Sequence, residues 1–377
     1  MSIDPPFRAD VVGSYLRTEA IHEAREQHED GAISDAELHA IEDREIRELI
    51  GQQRAAGLRL VTDGEFRRAW WHYDFYDGLT NVAVVDSDHG IQFQGVQTKT
   101  KVLRVTGRIA WNPEHPFLDA ARFLIANAGD ATPKVTIPSP TVLHFRLEAG
   151  ALEGSPYAAP EDVFDDLAAA YRDAIRDFHA AGVRYLQFDD TAWAYLCSEV
   201  ELEKARARGL DTDGLAEAYS ALLNQALAAK PADMVVTTHV CRGNFRSTWI
   251  ASGGYEPVAE QLLARTAYDG YFLEYDTERA GGFEPLRFLP RVDGHDPAQR
   301  GKTVVLGLVT SKSGDLESRE DVKARIAEAA RFAPLAQLAL SPQCGFASTE
   351  EGNVLTPQQQ WAKVREVVAI SREVWGD

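Results

Sequence analysis

The chain is short of positive charge, short of cysteine and free of long apolar runs. Its 39 lysines and arginines face 58 aspartates and glutamates, a net charge of −19. That balance excludes binding to nucleic acid or adhesion to an anionic membrane, since both need clustered positive charge. Three cysteines are too few for a disulfide framework. No stretch approaches the roughly 18 consecutive apolar residues of a membrane-crossing helix. The start, MSIDPPFRAD, has neither the basic nor the apolar part of a secretory signal. No linker rich in Pro, Gly or Ser, internal repeat or low-complexity tract divides the 377 residues. The expectation is one domain, 1–377, in a reducing cytoplasm.

What the chain does have is rhythm. Eight short apolar runs, at 9–15, 58–66, 133–140, 183–190, 233–241, 270–276, 303–311 and 336–344, alternate with amphipathic stretches, the pattern of repeated βα units and a parallel sheet. One helix is predicted from a Ser34 N-cap, with Glu37 three residues on, to Gly57. Others are predicted over PEDVFDDLAAAYRDAIRDFHAAG, from Pro160 to Gly182, over SREDVKARIAEAARFA, and over WAKVREVVAISREVW at the end. Eight such units at this length favour a (β/α)8 barrel. Residues 67–132 break the rhythm with an aromatic cluster, AWWHYDFYDGL, and polar alternating segments. They read as an antiparallel insertion after the second strand, and long insertions of this kind tend to be functional or to cover a site.

Catalytic groups of such barrels come from the C-terminal strand ends. Here those ends carry Ser14, Asp63 and Glu65, Asp189 and Asp190, His239 and Cys241, Glu274, and Cys344. His239, Cys241, Glu274 and Cys344 can each coordinate a borderline cation, and thiolate with imidazole suits zinc best. They are too far apart in sequence for a zinc finger, so only a large scaffold could assemble them. Each also has a plainer reading: His239 as a core histidine, the cysteines as small buried hydrophobes, Asp189 or Asp190 as a helix cap, Glu65 as a partner of Arg67 or Arg68. Cys197 reads as an ordinary free thiol.

Taken in order, VGSYLRT, VTDGEFRR, LQFDD, HVCRG, FLEYD and LSPQCG resemble the motifs of the catalytic barrel of cobalamin-independent methionine synthase, and closely those of its short single-barrel relatives. The resemblance covers nearly the whole chain. It implies a single (β/α)8 TIM barrel of the methionine synthase/uroporphyrinogen decarboxylase type, with Zn2+ on His239, Cys241, Glu274 and Cys344. Zinc would lower the pKa of a substrate thiol, homocysteine in the family, so that it attacks a methyl group as thiolate. By position, Ser14 would bind the amino-acid carboxylate, and Glu65 and Asp189 would hold its ammonium.

The departures from the family lie on the donor side. Its second, N-terminal barrel has no counterpart in this sequence. Lys312, in VTSKSGD, stands where the family has a histidine, and Phe145 or His144, in TVLHFRL, where it has a folate-stacking tryptophan. Asp190 and Lys312 are candidate catalytic residues. Phe145 and Trp70 are candidate donor contacts, with Trp71, Tyr73, Phe75 and Tyr76 available either to stack on a flat donor or to pack the insertion. The donor is open: a folate, a methylcorrinoid protein or a small methylated compound. The oligomeric state is open as well. Two alternatives stand beside methionine synthesis. One is an epoxyalkane:coenzyme M transferase with the same zinc–thiolate chemistry, in which Arg17, Arg67, Arg68 or Lys312 meets a sulfonate. The other is a barrel without catalytic zinc that partners a methyl carrier.

Overall fold

The computed structural model describes residues 5–87, 92–93, 95–97, 101–292 and 301–376. The fold is mixed α/β and is organised on a curled parallel sheet. Its strands are β1 (Leu60–Val61), β6 (Thr132–Pro138), β7 (Tyr185–Asp190), β8 (Val235–Val240), β9 (Gly270–Glu274), β10 (Thr303–Val309) and β11 (Leu338–Pro342), hydrogen-bonded in that order. A second, antiparallel pair joins β2 (Thr80–Asp86) to β5 (Lys101–Ala110), and the short β3 (Gln92–Phe93) pairs with β4 (Val96–Gln97). The expected polar segment from 90 to 102 lies partly outside the described residues.

Six of the eight expected strands, from 133–140 onward, form ladders longer than two residues. The first two differ. Residues 9–14 make only isolated parallel bridges, Ala9 to Leu340 on one side and Ser14 to Gly64 on the other, so they touch both edges of the sheet without forming a full strand. Side chains take the place of the ladder there: the carbonyls of Val11, Val12 and Gly13 accept from Lys134, Gln187 and Thr62. Beside them β1 stops after two residues because the Gln53 amide bonds both backbone groups of Thr62.

The helices start where their caps dictate. Asp35–Ala55 opens on a Ser34–Glu37 capping box. Pro357–Trp375 begins four residues before the expected WAKV because Thr356 and Gln359 form another. Over PEDVF a 3-10 turn, Pro160–Val163, precedes the helix Phe164–Ala180. In the 67–132 stretch the antiparallel pair is followed by a helix, Pro116–Asn127, before β6.

Side chains alternate across a strand, and inside the curl Val12, Phe272, Val305 and Ala339 make a small apolar cluster of their own. Below it the Lys134 ammonium bonds Asp10 at 3.1 Å, both fully buried, and stands 3.8 Å from the Phe272 ring centroid. Glu274, two residues beyond Phe272 on β9, faces the same interior.

Candidate metal centre

Period-two alternation puts His239 and Cys241 on one face at the end of β8, where the Cys241 amide donates to the Asp190 carbonyl at 2.8 Å. Glu274 is the last residue of β9, and Cys344 lies two residues past β11. One ligand atom from each of His239, Cys241, Glu274 and Cys344 lies within 4.8 Å of the other three, and all four residues are buried.

The arrangement fits a cation. The sulfurs of Cys241 and Cys344 stand 3.6 Å apart, while two sulfurs bound at about 2.3 Å to one tetrahedral ion stand about 3.8 Å apart. Neither His239 nitrogen has a hydrogen-bond partner, nor does Glu274 Oε2, and buried polar atoms are seldom left so. Backbone amides hold the rest: Arg242 N–H donates to Glu274 Oε1 at 2.8 Å and Gly243 N–H to the Cys241 sulfur at 3.4 Å.

Without an ion the four groups share their protons unevenly. Burial opposes a Cys344 thiolate, but the hydrogen bond from Cys241 and the charge on His239 outweigh it and hold that thiol well below its ordinary range. Cys241, giving its hydrogen bond to Cys344 and itself buried, is pushed well above. His239 is raised: burial disfavours its charge, but Cys344, Asp189 and Glu274 favour it more. Burial raises Glu274, against the pull of Lys312. The Lys312 ammonium is itself buried without a hydrogen-bond partner, and its charge also favours both thiolates.

Glu65 reaches the interior through a strained turn. Gly64 and Glu65 both have left-handed φ values, 68° and 60°, and Asp63 Oδ1 accepts from the Glu65 amide at 2.9 Å. A Cβ on Gly64 would meet Leu49 at 2.4 Å. Glu65 Oε1 accepts from Thr136 at 3.0 Å and faces Arg68 at 3.5 Å, while Oε2 has no partner. Asp189 accepts from Gln187 at 2.7 Å, and burial, with Glu65 adding to it, raises its carboxyl. Ser14 packs against the loop after Cys344: its carbonyl accepts from Phe346 N–H at 3.0 Å and its hydroxyl from Ala347 N–H at 3.4 Å.

The remaining sequence candidates sit elsewhere. Asp190 is wholly buried, with one oxygen taken by Thr141 at 2.5 Å and the other by the Ala192 amide at 2.7 Å. His144 bonds the Tyr219 hydroxyl at 2.9 Å, and Phe145 packs on the Tyr195 ring; both are core residues. Trp70 stacks on Phe245, four residues beyond Cys241. Cys197 donates to the Trp193 carbonyl, and burial pushes its thiol up to about 11. Arg17 is spent on the carbonyls of Tyr15, Gly64, Arg68 and Ala347, and Arg67 on Glu42 and Asp43. Sequence reasoning passed over Arg242, whose buried guanidinium lies 4.4 Å from the Tyr255 ring centroid with none of its nitrogens hydrogen-bonded. Its place directly after Cys241 was the available signal.

Residues 7–103 match the family model described as the catalytic domain of cobalamin-independent synthase. A Listeria monocytogenes structure, described as a candidate vitamin-B12-independent methionine synthase, superposes with a TM-score of 0.76 at 41% identity, covering 99% of both chains. The chain belongs to the cobalamin-independent methionine synthase family. Within it, the uncharacterized protein YxjG of Bacillus subtilis is 51% identical over 98% of this chain and 95% of its own length. A methionine synthase of Saccharolobus islandicus is 24% identical over 92% of this chain and 90% of its own. The family's chemistry is methyl transfer. Among the described residues no helix is long and apolar enough to cross a membrane.

Proposed function

We propose that this protein is a zinc-dependent thiol methyltransferase that converts homocysteine to methionine on a (β/α)8 barrel whose eighth stave is residues 9–14. The observation that carries the reading is the convergence of His239, Cys241, Glu274 and Cys344. Two sulfurs, an imidazole and a carboxylate form a donor set suited to zinc. When bound, zinc supplies Lewis acidity that keeps a substrate thiol as thiolate at neutral pH.

The chain's own residues do the rest. Glu65 Oε2 and the Asp189 carboxylate present acceptors for the ammonium of an amino-acid thiol, and an ammonium in a buried site needs such partners. Ser14, set against the loop that carries Cys344, ties the amino-acid end to the sulfur end. The apolar floor of Phe272, Val305 and Ala339 keeps bulk water from beneath the reacting sulfur. Of the cations the sulfonate-binding alternative could use, Arg17 and Arg67 are committed to protein acceptors and Arg68 lies between Glu65 and the Thr136 carbonyl, which leaves it Lys312.

Two measurements test the reading together. Protein purified without chelators should carry one zinc per chain by elemental analysis, and should form methionine from homocysteine with a methylfolate, a methylcorrinoid or a small methylated donor. Methionine from none of these, or turnover of an epoxide with coenzyme M, would overturn it.

A further inference from the structure

Arg242 is 1% exposed, and among the described residues none of its guanidinium nitrogens has a hydrogen-bond partner. Its backbone, by contrast, is fully engaged. The Arg242 N–H donates to Glu274 Oε1 at 2.8 Å, and its carbonyl accepts from Ile250 N–H at 2.9 Å and Ala251 N–H at 3.0 Å. The side chain lies against Tyr255, in the loop between β8 and β9, with the guanidinium carbon 4.4 Å from the ring centroid. The Tyr255 hydroxyl in turn donates to the backbone carbonyl of Glu274 at 3.3 Å, and the Tyr255 ring packs 5.3 Å from that of Tyr275, the residue after Glu274. These interactions close a ring on Glu274. The Arg242 amide holds one carboxylate oxygen, the Arg242 guanidinium holds the Tyr255 ring, and the Tyr255 hydroxyl holds the Glu274 main chain.

Packing alone does not account for an arginine here. A guanidinium taken out of water without hydrogen bonds costs stability, and its attraction to one ring face returns only part of that cost. An aliphatic side chain would fill the same space without the penalty. What arginine adds is a hold on Tyr255, and Tyr255 fixes the strand end at which Glu274 stands. The consequence for the carboxylate is specific: Oε1 is taken by the Arg242 amide, while Oε2 has no partner, so the group is held with one oxygen free.

We propose that Arg242 and Tyr255 are positioning residues for Glu274, locking its carboxylate so that it presents a single oxygen, Oε2, to the metal ion. Their side chains touch neither the ion nor the substrate. The inference rests on the zinc reading and goes beyond it, because the identity of the four ligands does not say what orients the one carboxylate among them. Outer partners of this kind govern how tightly a site holds its metal, and losing one typically weakens binding about 10- to 100-fold.

The test uses the full chain and three variants. Arg242→Met keeps an apolar stem and removes the charge, Arg242→Lys keeps a cation for the ring, and Tyr255→Phe removes only the hydroxyl. The zinc dissociation constant, measured by competition with a chromophoric chelator, is read beside the Tm of each metal-free protein. In Arg242→Met the constant should rise about 10- to 100-fold, while the metal-free Tm holds or rises because an unsatisfied buried cation is gone. Tyr255→Phe should show a smaller rise, and Arg242→Lys should recover most of the wild-type affinity. In a Glu274→Ala background, Arg242→Met should change zinc affinity by less than about twofold, since it acts only through that carboxylate. Affinity within about twofold of wild type in both Arg242→Met and Tyr255→Phe overturns the inference and leaves the zinc reading standing. A loss that comes with a lower metal-free Tm, or that is as large without Glu274 as with it, marks a merely structural role and overturns the inference too. Wild-type protein that binds no zinc removes both.

Discussion

The hydroxyl of Ser14 occupies the space that a side chain on Gly345 would need: a Cβ built there falls 1.9 Å from Ser14 Oγ. This contact clamps the first segment of the sheet to the loop that carries Cys344. Gly345→Ala should therefore displace either Ser14 or the loop, at a cost of about 1–3 kcal/mol for overpacking. The measurable outcome is a lower Tm together with substoichiometric metal. Ser14→Ala, which makes room instead, should keep the metal. Full metal occupancy in Gly345→Ala would disprove the clamp.

The sulfurs of Cys241 and Cys344, 3.6 Å apart, are too far apart for a bond but near enough to form one after a small shift, since a disulfide needs about 2.05 Å. In metal-free protein, diamide should join Cys241 to Cys344, and thiol titration should fall from three per chain to one, Cys197 remaining. Bound zinc should protect both thiols. Three thiols surviving in the treated metal-free protein would show that the pair does not share a site.

Lys312 carries a buried ammonium whose charge acts on Cys241, Glu274 and Cys344, and it is the leading attractive charge on Glu274. Lys312→Met removes that charge while keeping the apolar stem, so the acidic set loses its counter-charge. Methyl transfer should fall at least about tenfold, equivalent to 1.4 kcal/mol, with zinc still bound. Rates within twofold of wild type would reduce Lys312 to packing.

Acid should destabilise the fold through histidines that are not part of the candidate metal centre. Burial lowers both His115 and His144 to about 4. His115 is tied to its neutral form by Nδ1, which accepts from the Phe117 amide, while the Nε2–H bond to the Phe75 carbonyl pulls weakly the other way. Below pH 6.5 the unfolded chain takes up protons that the folded chain refuses, so stability falls as pH drops from about 6.5 to 4, by up to about 3 kcal/mol for each histidine. Urea unfolding of His115→Gln between pH 7 and 4.5 should show a pH slope shallower by one proton than wild type. An unchanged slope would clear His115 of the effect.

The sequence makes the later strands, from 133 to 344, and the strongly capped helices readable, because those segments settle their own hydrogen bonds within a regular period. It also marks His239, Cys241, Glu274 and Cys344 as ligand types at strand ends. Residues 9–14 misled because their apolar run looks like any other strand, while the groups that take its carbonyls, Lys134, Gln187 and Thr62, come from three distant elements. His144 and Asp190 looked like site residues, but Tyr219 takes one nitrogen of the first, and Thr141 and a helix amide take both oxygens of the second. Arg242 gave no periodic signal at all.

Local period, capping residues and the chemistry of side chains at strand ends belonged to the sequence by itself, since each depends on neighbours within a few positions. Which polar groups would find partners, and which would be left facing one another across an enclosed interior, only the tertiary structure decided. Satisfaction of a buried donor or acceptor is set by atoms that the chain brings together from far along its length, and no window of residues contains that sum.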